Sequence, residues 1–74
     1  MDVEVRQPGY SNDLQIFLQA CGLVCRRDTR TEILHVHHPA ARSDRDARIV
    51  ITKALSEWMV TKPHAEAHLI DYRD

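Results

Sequence analysis

The chain is poor in the residues on which several common chemistries depend. Only two glycines, Gly9 and Gly22, stand in 74 residues, so there is no glycine-rich loop to cradle a phosphate with backbone amides. Aromatic residues make up 5% of the sequence, too few rings for the stacking platforms of single-strand RNA readers. Two cysteines, Cys21 and Cys25, do not make a disulfide scaffold, and their C-x3-C spacing is not the C-x2-C of redox and zinc sites. Neither sign of charge dominates: ten basic and eleven acidic residues leave a formal charge of −1. Nucleic-acid binders usually carry a strong positive field, so nucleic acid is a disfavoured partner. No apolar run is long enough to span a bilayer, and none near the first residues has the form of a secretory signal. With so little cysteine, a cytoplasmic location is the expectation.

What remains is an ordinary globular composition, 43% apolar and 28% charged. The length predicts a single domain over residues 1–74. A chain of this size buries only about 60% of its unfolded surface. Domains this small often gain stability from a metal or a second subunit, so a homodimer is expected. Eight of the ten basic residues are arginine, whose planar fork suits carboxylates and phosphates better than lysine does. Codon bias in a GC-rich genome would give the same enrichment. Charging all five histidines would move the formal charge from −1 to +4, as exposed histidines do in any protein.

The elements follow from periodicity. Val3 and Val5 alternate in a short strand, and Pro8-Gly9 breaks it. Ser11 or Asn12 is expected to cap a helix, with Asp13 at its positive end. Leu14, Phe17, Leu18 and Cys21 then recur at helical spacing, and Gly22 is placed to end the helix. Residues 23–27 and 31–37 read as two strands joined at Asp28-Thr29-Arg30, a hairpin. Pro39 stops the second of them. Ser43 caps a second helix, with Asp46 three residues on. Ala47, Val50, Ile51, Ala54, Leu55 and Trp58 form its apolar stripe, and Pro63 lies just past its end. Residues 65–72 read as a last strand. The order strand, helix, strand, strand, helix, strand predicts an α+β, ferredoxin-like βαββαβ sandwich: a four-stranded antiparallel sheet with two helices on one face.

Leu14, Leu18, Cys21-Gly22, Leu34-His35-Val36, Pro39, Ile51, Leu55, Trp58, Pro63 and Leu69 together resemble a group of short, uncharacterised bacterial α/β proteins with the same βαββαβ pattern. The likeness covers most of residues 3–70. It implies the compact fold and brings no known activity, because its residues are core and cap positions.

Candidate functional residues gather on the face of the sheet away from the helices. If Leu34 and Val36 point inward, Ile33, His35 and His37 point outward. With a two-residue turn, Val24 and Arg26 join them. The fold sets the first strand beside the third, which brings in Glu4, and the last strand beside the first, which brings in His68 when that side chain turns outward. Glu4, His35, His37 and His68 are therefore the candidate metal ligands, a nitrogen/oxygen set suited to zinc, nickel or copper. H-x-H alone is a weak signature, and solvated histidines on an open face account for it equally well. Cys21 and Cys25 read as small core hydrophobes. The arginines of the hairpin, Arg26, Arg27 and Arg30, lack the neighbouring aromatics of an RNA-binding sheet. Ser11, Ser43 and Ser56 have no evident histidine and acid partners, so no catalytic residue is assigned.

The reading that best joins these features is a cytoplasmic, non-enzymatic homodimeric interaction or regulatory module. Its interface residues are Val24, Arg26, Ile33, His35 and His37 on the open sheet face. A metal-binding protein built on the H-x-H strand, taking zinc or nickel, is the alternative. A small dimeric enzyme with a pocket between subunits is the third class.

Overall fold

A computed structural model describes residues 1–70 of the chain. Strand β1 (Asp2–Val5) leads through a short 3-10 turn at Pro8–Tyr10 into helix α1 (Ser11–Ala20). Strands β2 (Val24–Arg27) and β3 (Ile33–His37) form a hairpin, helix α2 (Asp44–Thr61) follows, and β4 (Ala67–Ile70) comes last. One antiparallel sheet holds the four strands in the order β2-β3-β1-β4. This is the ferredoxin-like arrangement that the order of elements predicts. Among the described residues no helix is long and apolar enough to cross a membrane.

Strict alternation decides which side chains enter the core. Val3, Val5, Cys25, Leu34 and Val36 point inward and are buried, as are Leu23, Ala65 and Ala67 beside them. Leu14 and Leu18 from α1 meet Ala47, Ile51, Ala54, Leu55 and Trp58 from α2 over that face. Each fully buried large apolar side chain contributes about 1.5–3 kcal/mol relative to exposure. Trp58 is the largest of them. Its buried indole N–H donates to Asp13 Oδ2 at 2.9 Å, and the Tyr10 ring meets it edge-on with centroids 6.2 Å apart. Lys62 Nζ stands 3.7 Å from the same Asp13 oxygen. A carboxylate in the first turn of α1 thus ties down the last two turns of α2.

The helix ends show why some expectations hold and others fail. α1 closes in a Schellman motif: Gly22 N–H donates to Gln19 C=O, and Leu23 N–H donates to Leu18 C=O. Gly22 takes φ +87°, a conformation that glycine reaches without steric cost. The motif turns the chain away one residue before the stripe would be complete. Cys21, expected in the core, is therefore exposed, and β2 starts at Val24. Val50 is also exposed, at 39%, because at about 100° per residue it falls at the margin of the α2 stripe.

The hairpin loop is longer than Asp28-Thr29-Arg30. Asp28 Oδ1 accepts the Arg30 and Thr31 N–H groups at 2.8 and 3.4 Å, and Glu32 closes the loop at φ +60°. This side-chain turn moves the start of β3 from Thr31 to Ile33. β4 runs Ala67–Ile70, so Ala65 and Glu66 precede the strand expected to begin there, and the expected positions 71 and 72 lie outside the described residues.

The two serines expected to cap helices have different fates. Ser43 holds an extended backbone, and its Oγ accepts the Asp46 N–H at 3.2 Å. Ser11 does not cap α1. The chain enters α1 already helical, with Tyr10 at φ −97° and ψ −3° in the cap position and no side-chain cap bond. Ser11 becomes the first helical residue, fully buried, and its Oγ has no hydrogen-bond partner among the described residues. Ser43→Ala is expected to cost about 1 kcal/mol of stability. Ser11→Ala removes a buried, unbonded hydroxyl and is expected to leave stability equal or higher by up to about 1 kcal/mol. Urea denaturation of both variants beside the parent checks the opposite signs.

Candidate functional site

The outward face of the sheet is an ordered grid set by strand register. One row runs Arg26, His35, Asp2, Ile70 from β2 to β4. The next places Ile33 opposite Glu4 and Glu4 opposite His68. Toward the other end of β3, His37 stands opposite Val24. Val24, Arg26, Ile33, His35 and His37 therefore share the open face. Val24 is half-exposed, and Ile33 and Ile70 are partly buried.

His35 is the best-connected side chain on this face. Its Nδ1 lies 2.7 Å from Asp2 Oδ1. An ionised carboxylate can only accept a hydrogen bond, so Nδ1 carries the proton. In the neutral imidazole, the bare Nε2 is then directed away from Asp2. On that side Asp28 Oδ2 stands 4.0 Å from Nε2. His35, Arg26, Arg27 and Asp28 line a half-open cleft of about 350 Å³ at the base of the hairpin. Neither arginine forms an ion pair with a carboxylate of the described residues.

The four candidate metal ligands are spread along the face. Glu4 and His68 stand side by side, while His35 is engaged by Asp2 and His37 lies at the far end of β3. His37 and the Glu4 row are four residues apart along the strand, about 13 Å at roughly 3.3 Å per residue. Among the described residues no three His, Cys, Asp or Glu side chains come together to hold a metal ion. Asp2 and Asp28 are the site residues that sequence reasoning missed. Asp2 carried a usable signal, since it alternates with Glu4 in β1, but choosing between them needs the register. Asp28 was hidden by its role as a turn residue.

The cysteines offer no paired chemistry. Burial pushes the Cys25 thiol up to about 11, which suppresses the thiolate that a nucleophile requires. Cys21 is exposed. A thiol reagent applied to the native protein is expected to modify Cys21 quickly and Cys25 only on unfolding. Peptide mapping after partial labelling checks this, and early label on Cys25 would contradict the buried placement.

Asp28 is held below its ordinary 3.8, first by the Arg30 backbone N–H and further by Thr31 and His35. A carboxyl lowered in the folded state stabilises the fold above its ordinary value, and the contribution fades as pH falls through the folded value. The parent is expected to exceed Asp28→Asn in stability at neutral pH, with the gap closing below about pH 4. Urea midpoints of the two proteins across that range measure it.

Compared with known proteins, the chain matches no protein-family model, no curated protein and no solved structure.

Proposed function

We propose that this chain is a non-enzymatic interaction module that forms a homodimer through its open sheet face in the reducing cytoplasm. The observation that carries the reading is the composition of that face, strand by strand. Its β1 side chains, Asp2 and Glu4, are acidic, whereas β2 and β3 present Arg26, His35 and His37. Val24, Ile33 and Ile70 supply apolar area among them. A two-fold axis lying between two such sheets, parallel to the strands, sets β3 of one subunit over β1 of the other. His35 of each subunit then faces Asp2 of the other across the interface. This is the self-complementarity that a two-fold contact requires.

Edge-to-edge association through β2 is the less favoured route. The Cys25 carbonyl on that edge already accepts Gln15 Nε2 at 3.2 Å and Gln19 Nε2 at 3.4 Å. Side chains from α1 thus occupy a backbone group that an added strand would need.

The test is the mass of the untagged protein in solution by light scattering, with Ile33→Asp beside it. The expected result is a dimer whose dissociation constant rises at least about tenfold in the variant, an effect of 1.4 kcal/mol or more. A single-chain mass for both proteins at all concentrations would end the reading. Native mass spectra with added zinc or nickel address the metal class. Stoichiometric metal that is lost in the His35→Ala, His37→Ala double variant would put the H-x-H strand in place of the dimer face as the functional feature.

A further inference from the structure

We propose that the cleft at the base of the β2–β3 hairpin binds an oxyanion that keeps a proton of its own, of the hydrogen-phosphate class. The cleft holds about 350 Å³ and is lined by Arg26, Arg27, Asp28 and His35, toward the small end of ligand sites. Its two guanidinium groups are exposed and form no ion pair with a described carboxylate. Guanidinium forks donate paired hydrogen bonds to oxyanions with matched geometry. Adjacent strand residues alternate their directions. Arg26 and Arg27 therefore leave β2 toward opposite faces, and both line the cleft at its edge.

Asp28 decides which oxyanion fits. Its carboxylate faces the same cleft and would repel a bare anion. One of its oxygens is committed to the Arg30 and Thr31 N–H groups. The other, Oδ2, stands 4.0 Å from His35 Nε2 and takes neither of those two backbone N–H groups. An acceptor beside two donors suits an anion that carries a hydroxyl: the arginines bind the charged oxygens, and Asp28 Oδ2 accepts the hydrogen bond from the ligand's O–H. Hydrogen phosphate retains that proton at neutral pH, and sulfate does not. A doubly ionised phosphate monoester lacks it too, since its second ionisation lies near about 6. The Asp2 contact fixes the His35 ring at 2.7 Å, so Nε2 forms part of the wall at a set position.

This inference does not rest on the pairing of open faces. All four lining residues come from one chain, and although Arg26 and His35 also belong to the open face, Arg27 and Asp28 lie at the edge strand and hairpin loop outside the set of interface residues. The experiment is a titration of the full chain followed by amide and side-chain NMR at neutral pH and constant ionic strength. The probes are inorganic phosphate, sulfate and glycerol phosphate. Phosphate is expected to give saturable shifts at Arg26, Arg27 and His35 and to bind at least tenfold more tightly than sulfate. Arg26→Gln with Arg27→Gln is expected to weaken phosphate binding at least tenfold.

Asp28→Asn is expected to bring the phosphate-to-sulfate ratio close to one. An asparagine side-chain oxygen still accepts the Arg30 N–H, so the turn is retained, and the variant's backbone spectrum checks that. Glycerol phosphate binding more weakly than phosphate assigns the site to the free ion. Tighter binding by glycerol phosphate, which is mostly doubly ionised at neutral pH, would overturn the role given to the ligand's own phosphate O–H. Equal, non-saturating responses to phosphate and sulfate that survive the arginine substitutions would show an adventitious ion only and overturn the proposal. Repeating the phosphate titration in Ile33→Asn, which adds no charge beside Asp28, separates the cleft from the dimer: binding retained in a monomer leaves the cleft proposal standing, and binding lost from a folded monomer overturns the single-chain site.

Discussion

The sheet is covered on one side only, and most of the molecule follows from that constraint. Two helices of ten and eighteen residues supply the apolar stripes, and the inward residues of the strands meet them in one buried cluster. Because a strand alternates, the choice that buries Val3, Leu34 and Val36 also commits Asp2, Glu4, Ile33, His35 and His37 to the opposite face. A slip of one residue in β3 would bury histidines and expose Leu34 and Val36. The register is therefore held by the core, and the arrangement of groups on the open face is a consequence of it. His35 meets Asp2, and Glu4 meets His68, because Val3 must stand opposite both Leu34 and Leu69.

Much of the fold was legible for the same reason. Leu14, Leu18, Ile51, Leu55 and Trp58 recur at helical spacing, and Val3, Val5, Leu34 and Val36 at strand spacing, so both periods pointed to one interior. The terminal positions were less legible, because local hydrogen bonding decides them and periodicity does not see it. Cys21 fits the helical stripe by number but sits where the Schellman motif turns the chain outward. Ser11 has a capping side chain but not a capping backbone, since Tyr10 already has near-helical angles. Ser43 has both, and it caps. Residue type nominated each cap, and the backbone entering the helix selected which nomination succeeded.

The open face was legible in membership and not in pairing. Alternation places Ile33, His35 and His37 together; Val24 and Arg26 join them on the assumption of a two-residue turn, and they share the face although the loop spans residues 28–32. Alternation does not say which acidic residue of β1 stands beside which histidine. A shift of β1 by two residues would preserve every burial and set Glu4 opposite His35. Against β3, β1 is held by Met1, whose C=O accepts the Val36 N–H at 2.7 Å and whose terminal ammonium donates to the Val36 C=O at 2.6 Å. Against β4, Val3 and Val5 pair with Leu69 and Ala67, and the segment after them is held to the chain before β4. Arg6 donates its backbone N–H to Glu66, and Gln7 accepts the Glu66 N–H at 3.0 Å. These contacts join residues about sixty positions apart, beyond any window over which periodicity is read.

Asp28 joins the two halves of the argument. Its Oδ1 shapes the hairpin loop, its backbone N–H donates to Ile33 C=O at 2.9 Å, and its Oδ2 faces His35 across the cleft. The residue that sets where β3 begins is thus the residue that sets the acceptor in the cleft. An uncommitted carboxylate would be free to swing onto Arg26 or Arg27 and neutralise them. Two backbone donors hold this one back, and the arginines stay open to an outside partner. A site of this kind needs no glycine-rich loop and no helix terminus. It needs a turn residue whose carboxylate is held in place by backbone donors, at the base of a hairpin whose edge strand ends in two arginines.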